Sequence, residues 1–228
     1  MFISNFKFNK LSDLTKRCIV GVIGLSALFA VHYFQVTYHL LSLLFFVLYS
    51  ELLITCHGSK IAFFKKALIF VFGLLYMIMG LQGLMDAVAM EFVVPLFLIV
   101  CAQDIASYFM GKHLKGPKLA PKTSPNKTLS GAFAGLIVGA GLFQYFLAPL
   151  ILTDPCWWME LLYGIGFALI VQLGDLLESF AKRVCKVKDS SSLLPGYGGF
   201  WDRCDGIFAG AIFLSIVRII LFGIEAGV

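Results

Sequence analysis

The sequence predicts an all-α fold, a polytopic bundle of transmembrane helices with about seven spans. Three observations support this prediction. The 228 residues are 60% hydrophobic and 14% charged, whereas soluble domains carry about 25% charged residues. The 23 Phe and 22 Gly suit helices that face lipid and pack closely. Apolar runs of about 20 residues, the length that crosses a bilayer, recur along the chain.

The apolar runs place the spans in order. They are predicted at 17–34, 36–54, 66–84, 92–110, 130–152, 157–178 and 205–223. The first run follows Lys16 and Arg17, as the apolar part of a signal peptide does. No small-residue cleavage site follows it and the second run begins at once, so we expect a retained helix. Charged or proline-containing segments bound the later runs, because charges are costly in hydrocarbon.

The Lys and Arg residues fall almost entirely on one side of the predicted bundle. They lie before span one and between spans two and three, four and five, and six and seven: Lys7, Lys10, Lys16, Arg17, Lys60, Lys65, Lys66, Lys112, Lys115, Lys118, Lys122, Lys127, Lys182, Arg183, Lys186, Lys188 and Arg203. The loops Asp86–Glu91 and Thr153–Glu160 carry none, and Arg218 alone departs from the pattern. The positive-inside rule therefore predicts a cytoplasmic N-terminus and cytoplasmic basic loops. The net charge of +5 is local, so no nucleic-acid partner is expected.

Acidic residues gather at the predicted cytoplasmic ends of the spans. In "IVQLGDLLESFAKR" the spacing i, i+3, i+4, i+7, i+8 puts five polar residues on one helical face: Asp175, Glu178, Ser179, Lys182 and Arg183. Asp202 and Asp205 are three residues apart and share a face at the start of the last span. Two acidic faces that meet at one depth would suit Mg²⁺, which takes carboxylates, waters and phosphate oxygens.

Each of these features also has a plainer explanation. Asp202 or Asp205 would serve as an N-cap of the last helix, the basic residues as membrane anchors, and "PGYGG" as a turn. Glu51, inside the second span, would form hydrogen bonds within the bundle without a chemical role. The functional interpretation is favoured because an acidic face, a basic stretch, a Gly-rich turn and a second acidic pair share about thirty residues.

A second polar segment, "GKHLKGPKLAPKTSPNKTLSG" (111–131), contains five Lys, three Pro and several hydroxyls. Proline stiffens such a loop, and its Lys and Ser/Thr groups would bind an anionic headgroup or a triphosphate. The alternative is a solvated basic linker in which Thr128 or Ser130 caps the fifth span.

The stretch "SFAKRVCKVKDSSSLLPGYGGFWDRCD", from Ser179 to Asp205, resembles the signature of the phosphatidate cytidylyltransferase (CDP-diacylglycerol synthase) family. "GDLLES" (174–179) and "KLAPKTSPNKT" (118–128) are similar to neighbouring segments of that family. Asp104, Tyr108 and Gly111 resemble its preceding helix. The resemblance covers roughly residues 100–210. Tyr197 stands where the family usually has His, "DIASY" replaces Asp-Ser/Thr-Gly-Ala-Tyr, and Gly206 replaces a frequent Ser.

The resemblance implies transfer of CMP from CTP to phosphatidate at the cytoplasmic face of the cell (inner) membrane. It implies Mg²⁺, with a second cation left open, held by Asp175 and Asp202 with Glu178 and Asp205 in support. The implied phosphate contacts are Ser179, Lys182, Arg183, Lys188 and Arg203. The implied substrate entrance is Lys118, Lys122, Ser124 and Lys127, and Gly198 and Gly199 shape the substrate loop.

On this interpretation residues 1–91 form N-terminal transmembrane helices and 92–228 the C-terminal catalytic transmembrane region, as one integral unit. The expected partners are CTP, phosphatidate and the lipid bilayer, and a homodimer stays open. Two other functions remain open. One is a CTP-dependent lipid kinase or a cytidylyltransferase for another lipid phosphate. The other is a transporter, which would place polar residues along a path through the bilayer midplane.

Overall fold

The structure, a computed structural model, describes residues 37–59, 61–152, 156–191 and 198–225. Its long helices are α1 (Thr37–Gly58), α2 (Phe63–Ala89), α3 (Val93–Leu114), α4 (Leu129–Phe146), α6 (Trp157–Val184) and α7 (Trp201–Glu225). A short helix, α5 (Ala148–Ile151), and two strands, β1 (Lys118–Ala120) and β2 (Ser124–Thr128), complete these elements. In the described part of the chain, six helices are long and apolar enough to cross a membrane. The predicted helical bundle and its second to seventh spans are confirmed, and the first, 17–34, lies outside the described residues.

The helix ends differ from the prediction where charged residues continue a helix. The predicted span 157–178 extends as α6 to Val184, and the predicted span 205–223 begins as α7 at Trp201. Asp202 and Asp205 therefore lie inside the first turns of α7, and Lys182 lies in the last turn of α6. The predicted span 130–152 divides into α4 and α5 near Pro149, which has no N–H to donate to a continuing helix.

The polar segment 111–131 contains a β-hairpin that the sequence did not predict. β1 and β2 pair antiparallel, with Lys118 opposite Thr128 and Ala120 opposite Ser124. Thr128 then caps α4, because its side-chain oxygen accepts the Gly131 N–H at 3.2 Å. The capping that the sequence offered as the plainer explanation is confirmed for Thr128, while the hairpin carries Lys127 toward α6.

One hydrophobic core joins early and late helices. Leu48 of α1 and Met77 of α2 belong to the same buried cluster as Phe167 of α6 and Phe208 of α7. α3 and α6 are also joined by the buried Gln103, whose Nε2 donates to the Ala168 carbonyl at 2.8 Å. The N-terminal helices α1 and α2 therefore pack in the same core as α6 and α7.

Glycines set the distance between the most tightly packed helices. A Cβ added to Gly83 of α2 would lie 2.6 Å from the Ala211 carbonyl carbon of α7. On α4, Gly131, Gly135 and Gly139 recur every four residues and face α3 or α6. Small residues at this spacing let helix backbones approach each other in a membrane.

Arg218, the exception to the charge pattern, has an ion partner. Its guanidinium lies 3.5 Å from Asp86 Oδ1, and the Ser215 hydroxyl donates to Asp86 Oδ2 at 2.7 Å. Asp86 lies near the C-terminal end of α2, far along the helix from Tyr76, which contacts Asp205 of α7. Arg218 is thus held by pairing, at the end of α7 opposite the acidic residues.

Candidate functional site

Three carboxylates from α6 and α7 converge at one end of the bundle. Ligand oxygens of Asp175, Glu178 and Asp205 all lie within 4.8 Å of one another; we call this group the carboxylate cluster. Asp175 and Glu178 share a face of α6 because they are three residues apart. Gly174 lets α7 approach, since a Cβ there would lie 2.5 Å from the Ala209 Cβ.

Two lysines from different elements contact the acids. Lys127 of β2 forms a hydrogen-bonded ion pair with Asp175. Lys182 Nζ lies 2.8 Å from Glu178 Oε1 and 3.0 Å from Asp202 Oδ1. The Lys182 side chain is 14% exposed and those of Glu178 and Asp202 are 3% and 7% exposed. A buried charge is costly without a partner, and Lys182 has one on each helix. Lys182 therefore links α6 to the start of α7.

The third helix adds a further acid to the same region. Asp104 of α3 lies within electrostatic reach of Asp175, Lys127 and Arg203. Asp104 was recognised from its resemblance to the family's preceding helix. Asp104 is outside the carboxylate cluster itself but interacts electrostatically with it.

Asp202 lies beside the carboxylate cluster and has its own set of donors. Its Oδ2 accepts the Gly199 N–H at 2.9 Å and the Ser190 N–H at 3.2 Å, and Lys182 contacts its Oδ1. A carboxylate that reaches back three residues to an N–H before the helix resembles one half of a capping box. The prediction that Asp202 is the N-cap of the last helix is wrong, because Asp202 lies inside the first turn of α7 and accepts N–H groups that precede the helix. Its role as a metal ligand stays a prediction.

The two glycines before α7 occupy crowded positions. Gly198 has φ +84°, and a Cβ there would lie 2.3 Å from Asp202 Oδ2. A Cβ on Gly199 would lie 2.0 Å from Ser190 Oγ and 2.7 Å from Glu51 Oε1. The positive φ of Gly198 favours glycine, and at either position an added Cβ would require the neighbouring side chains to move. Gly198 and Gly199 thus allow the Asp202 carboxylate and the segment around Ser190 to approach each other.

Glu51 of α1 binds the start of α7. It is fully buried; its Oε1 accepts the Phe200 N–H at 2.9 Å and its Oε2 accepts the Trp201 N–H at 2.8 Å. The Ser191 hydroxyl donates to Oε1 at 2.6 Å. The expectation that Glu51 forms hydrogen bonds within the bundle is confirmed, and its partners belong to the signature segment.

The other predicted contact residues differ in their surroundings. Arg183 Nε donates to the Thr123 carbonyl at 3.1 Å, and its NH1 donates to the Val187 carbonyl at 3.3 Å. Ser124 and Ser179 are partly buried, and the remaining predicted contacts are exposed: Lys118, Lys122, Lys188 and Arg203. Arg183 therefore joins α6 to the hairpin. Tyr197 lies outside the described residues.

The chain matches the model of the cytidylyltransferase family over residues 5–221. The chain belongs to the cytidylyltransferase family. It is 44% identical over 124 residues to a phosphatidate cytidylyltransferase of Brucella suis, covering 54% of this chain and 45% of that protein. Proteins of the same description from Helicobacter pylori and Haemophilus influenzae are 40% and 39% identical over 126 and 122 residues. Those matches cover 55% and 52% of this chain, and 46% and 42% of the relatives.

The chain thus spans about half the length of the curated relatives it matches. The similarity to phosphatidate cytidylyltransferases that the segment Ser179–Asp205 indicated is confirmed. The family match also extends over α1 and α2, in which sequence reasoning found no diagnostic residue.

Sequence reasoning missed several polar residues that build the site of this cytidylyltransferase family member. Tyr76 of α2 donates its hydroxyl to the Asp205 carbonyl at 2.6 Å. Thr55 of α1 donates to the Ser190 carbonyl at 2.9 Å. The available signal was weak, since single polar residues inside apolar spans, such as Tyr76 and Thr55, are common, and only the fold shows what they contact.

Proposed function

We propose that this protein transfers CMP from CTP to phosphatidate, forming CDP-diacylglycerol and pyrophosphate. The observation that carries the proposal is the carboxylate cluster, flanked by Lys127 and Lys182, in a membrane-spanning member of the cytidylyltransferase family. Carboxylates within reach of one another, beside cations and at one end of a helical bundle, suit a substrate pair in which one partner is a nucleotide and the other a lipid.

The reaction is a substitution at phosphorus. A phosphate oxygen of phosphatidate forms a bond to the α-phosphorus of CTP, and the bond from that phosphorus to the bridging oxygen of the β-phosphate breaks. Pyrophosphate leaves with the electron pair. The protein's task is to bring two anions together and to balance the negative charge that increases on the leaving oxygens.

The donor set of the carboxylate cluster fits Mg²⁺, which prefers oxygen ligands and binds through one or two carboxylates together with phosphate oxygens. Asp175, Glu178 and Asp205 would hold the ion, and Asp202 stays a candidate ligand. When bound there, Mg²⁺ supplies positive charge beside the phosphates. A second cation remains part of the proposal, with Asp104 close enough to contribute to the same field.

The basic residues divide into two proposed groups. Lys182 and Arg183 hold α6 to α7 and to the hairpin through the contacts described above. The exposed Lys118, Lys122 and Lys188 present charge toward solvent. We assign the exposed group to the approach of CTP and the phosphatidate headgroup, with Arg203, Ser124 and Ser179 nearby. Lys127 takes part at the cluster, where it already contacts Asp175.

The proposed location is the cell (inner) membrane, with the N-terminus and the catalytic loops in the cytoplasm. The Lys and Arg content of those loops supports this orientation. CTP is a cytoplasmic nucleotide, so the charge argument and the proposed substrate agree. A homodimer remains compatible with the proposal.

Labelled CTP tests the proposed function directly. Purified protein in detergent micelles containing phosphatidate and Mg²⁺ is given CTP labelled at the α-phosphate or, separately, at the γ-phosphate. We expect the α-label in the lipid fraction and the γ-label in pyrophosphate. Lipid labelled only from the γ-phosphate would indicate a lipid kinase instead. Absence of both labels from the lipid, with phosphatidate and with other lipid phosphates, would contradict nucleotidyl transfer.

A further inference from the structure

We propose that Glu51 and Thr55 of α1 are positioning residues that fix the start of α7 and, through it, the carboxylate cluster. The inference rests on the proposed function for its catalytic readout, and a metal-binding readout tests it separately. Glu51 and Thr55 are four residues apart and therefore lie on one face of α1. We call the pair the α1 clasp.

Glu51 binds the first N–H groups of α7. These groups have no partner inside the helix, and a helix N-terminus favours a negative charge nearby. The Glu51 carboxylate accepts from Phe200 and Trp201, one oxygen to each N–H, and also accepts the Ser191 hydroxyl. A cap usually comes from the residue just before its helix, whereas this one comes from a helix about 150 residues away along the chain.

Thr55 holds the other side of the same junction. Its hydroxyl donates to the Ser190 carbonyl at 2.9 Å. Ser190 in turn donates its N–H to Asp202. α1 thus contacts both the segment that follows α6, at Ser190 and Ser191, and the start of α7, and Gly199 lies against both Ser190 and Glu51.

The contacts continue from the junction to the carboxylate cluster. Asp202 receives Ser190 and Gly199, and it shares Lys182 with Glu178, a member of the cluster. Asp205 lies one turn further along α7, so its direction depends on where α7 begins. A shift of the first turn of α7 would therefore alter the separation between Asp205 and the two acids of α6.

A carboxylate suits the Glu51 position better than a neutral amide. All three partners donate hydrogen bonds, and an ionised carboxylate offers acceptors on both oxygens without any donor. A Gln side chain would direct its NH₂ group toward an N–H or a hydroxyl, and one of those donors would lose its partner. Glu51→Gln is therefore nearly isosteric and still disruptive, while it preserves the packing of α1.

The experiment compares Glu51→Gln and Thr55→Val with the wild-type protein and with Ser50→Ala. Ser50 precedes Glu51, and its hydroxyl bonds to the Val47 carbonyl of its own helix at 2.7 Å, so this variant changes α1 without touching the junction. Two quantities are measured: kcat for CMP transfer at saturating substrates, and the Mg²⁺ concentration at half-maximal thermal stabilisation without substrates. A ligand that binds the folded state and not the unfolded state stabilises the protein in this way.

We expect Glu51→Gln to lower kcat and to raise the Mg²⁺ midpoint by about 10- to 100-fold, as residues that orient metal ligands do. Thr55→Val shifts both quantities in the same direction by a smaller factor, and Ser50→Ala leaves both unchanged. Thr55→Val decides the question if Glu51→Gln does not fold, because Val retains the shape of Thr.

A purely structural role would lower thermal stability but leave the Mg²⁺ midpoint and the rate per folded molecule at wild-type values. That outcome in Glu51→Gln, or in Thr55→Val if it alone folds, overturns the inference. Failure of the proposed function is a separate result: the wild-type protein would then form no CDP-diacylglycerol. The Mg²⁺ midpoints would still support or overturn the clasp in that case.

Discussion

At the scale of single residues, the acids at the end of the bundle differ in their partners. Asp175 forms an ion pair with Lys127, and Glu178 forms one with Lys182. Asp202 forms an ion pair with Lys182 and also accepts hydrogen bonds from two backbone N–H groups. The sequence alone does not distinguish the roles of these acids, because each lies near the end of an apolar span. Their contacts distinguish the acids of the carboxylate cluster from Asp202, which also accepts the Ser190 and Gly199 N–H groups.

We predict that Asp175→Asn and Asp202→Asn each abolish turnover in a protein that is still inserted and folded. Asp175→Asn removes a charge from the carboxylate cluster, and Asp202→Asn removes the charge that receives Lys182. The assay is CMP transfer by purified variants. Asp86→Asn is the matched control, since Asp86 pairs with Arg218 outside the cluster, and it should retain turnover. Near-normal activity of either site variant would refute its assignment.

A second residue-scale prediction concerns the Gly-Gly pair. Gly198→Val and Gly199→Val should each remove activity, because any Cβ at these positions collides with Asp202 or with Ser190 and Glu51, and Val adds a branched side chain. Turnover per folded molecule is measured in detergent. Gly58→Val serves as the control, since nothing lies within 4 Å of a Cβ there. Retained activity in both pair variants would show that the junction has another conformation.

At the scale of elements, close helix packing determines how α7 is placed. α7 contacts α2 through Gly83 and α6 through Gly174, while its first turn is bound by α1. The hairpin packs at the same end and brings Lys127 to α6. Polar groups of the site come from α1, α2, α6 and α7, and the interfaces between helices set their separation.

We predict that Gly83→Ala destabilises the protein by about 1–3 kcal/mol, the usual cost of overpacking a tight interface. The added methyl group would lie 2.6 Å from backbone atoms of Ala211, which cannot rotate away as a side chain can. Thermal unfolding in detergent measures the effect. Gly141→Ala is the control, because nothing lies within 4 Å of its Cβ. Equal stability of the two variants would contradict the packing between α2 and α7.

At the scale of the whole molecule, the bundle has a charged end and an opposite end that carries the Asp86 and Arg218 pair. The carboxylate cluster, the hairpin and the α1 clasp all lie at the charged end. Gln103, the neighbour of Asp104 on α3, is buried and donates to the Ala168 carbonyl. The charged groups of the carboxylate cluster, the hairpin and the α1 clasp are therefore gathered toward one end of the bundle, as the proposed site at one membrane face requires.

We predict that the loops 112–127 and 184–203 react with a membrane-impermeant thiol reagent only from the cytoplasmic side. The background is a variant in which Cys156 is kept and the other native cysteines are replaced. One cysteine at a time is then introduced into each loop. Cys156 is exposed and lies in the lysine-free loop between α5 and α6, so it should react from the opposite side. Labelling of either basic loop from outside would refute the charge-based orientation.

The sequence by itself determined the class of fold and the positions of six described helices, and it indicated the region of the candidate site. Apolar runs long enough for a bilayer are a local property, and the cost of burying charge places most Lys, Asp and Glu residues at or near their ends. The segment Ser179–Asp205 likewise carries its family resemblance in consecutive residues. The spacing of Asp175 and Glu178 is enough to place both on one face of a helix.

The tertiary structure alone decided which distant residues meet. Glu51, Thr55 and Tyr76 reach the junction and Asp205 from α1 and α2, and the hairpin delivers Lys127 to Asp175. Such contacts depend on the faces that helices turn toward each other and on glycines that let them approach. A single polar residue in an apolar span does not state its partner, because that partner is set by the packing of helices far apart in the chain.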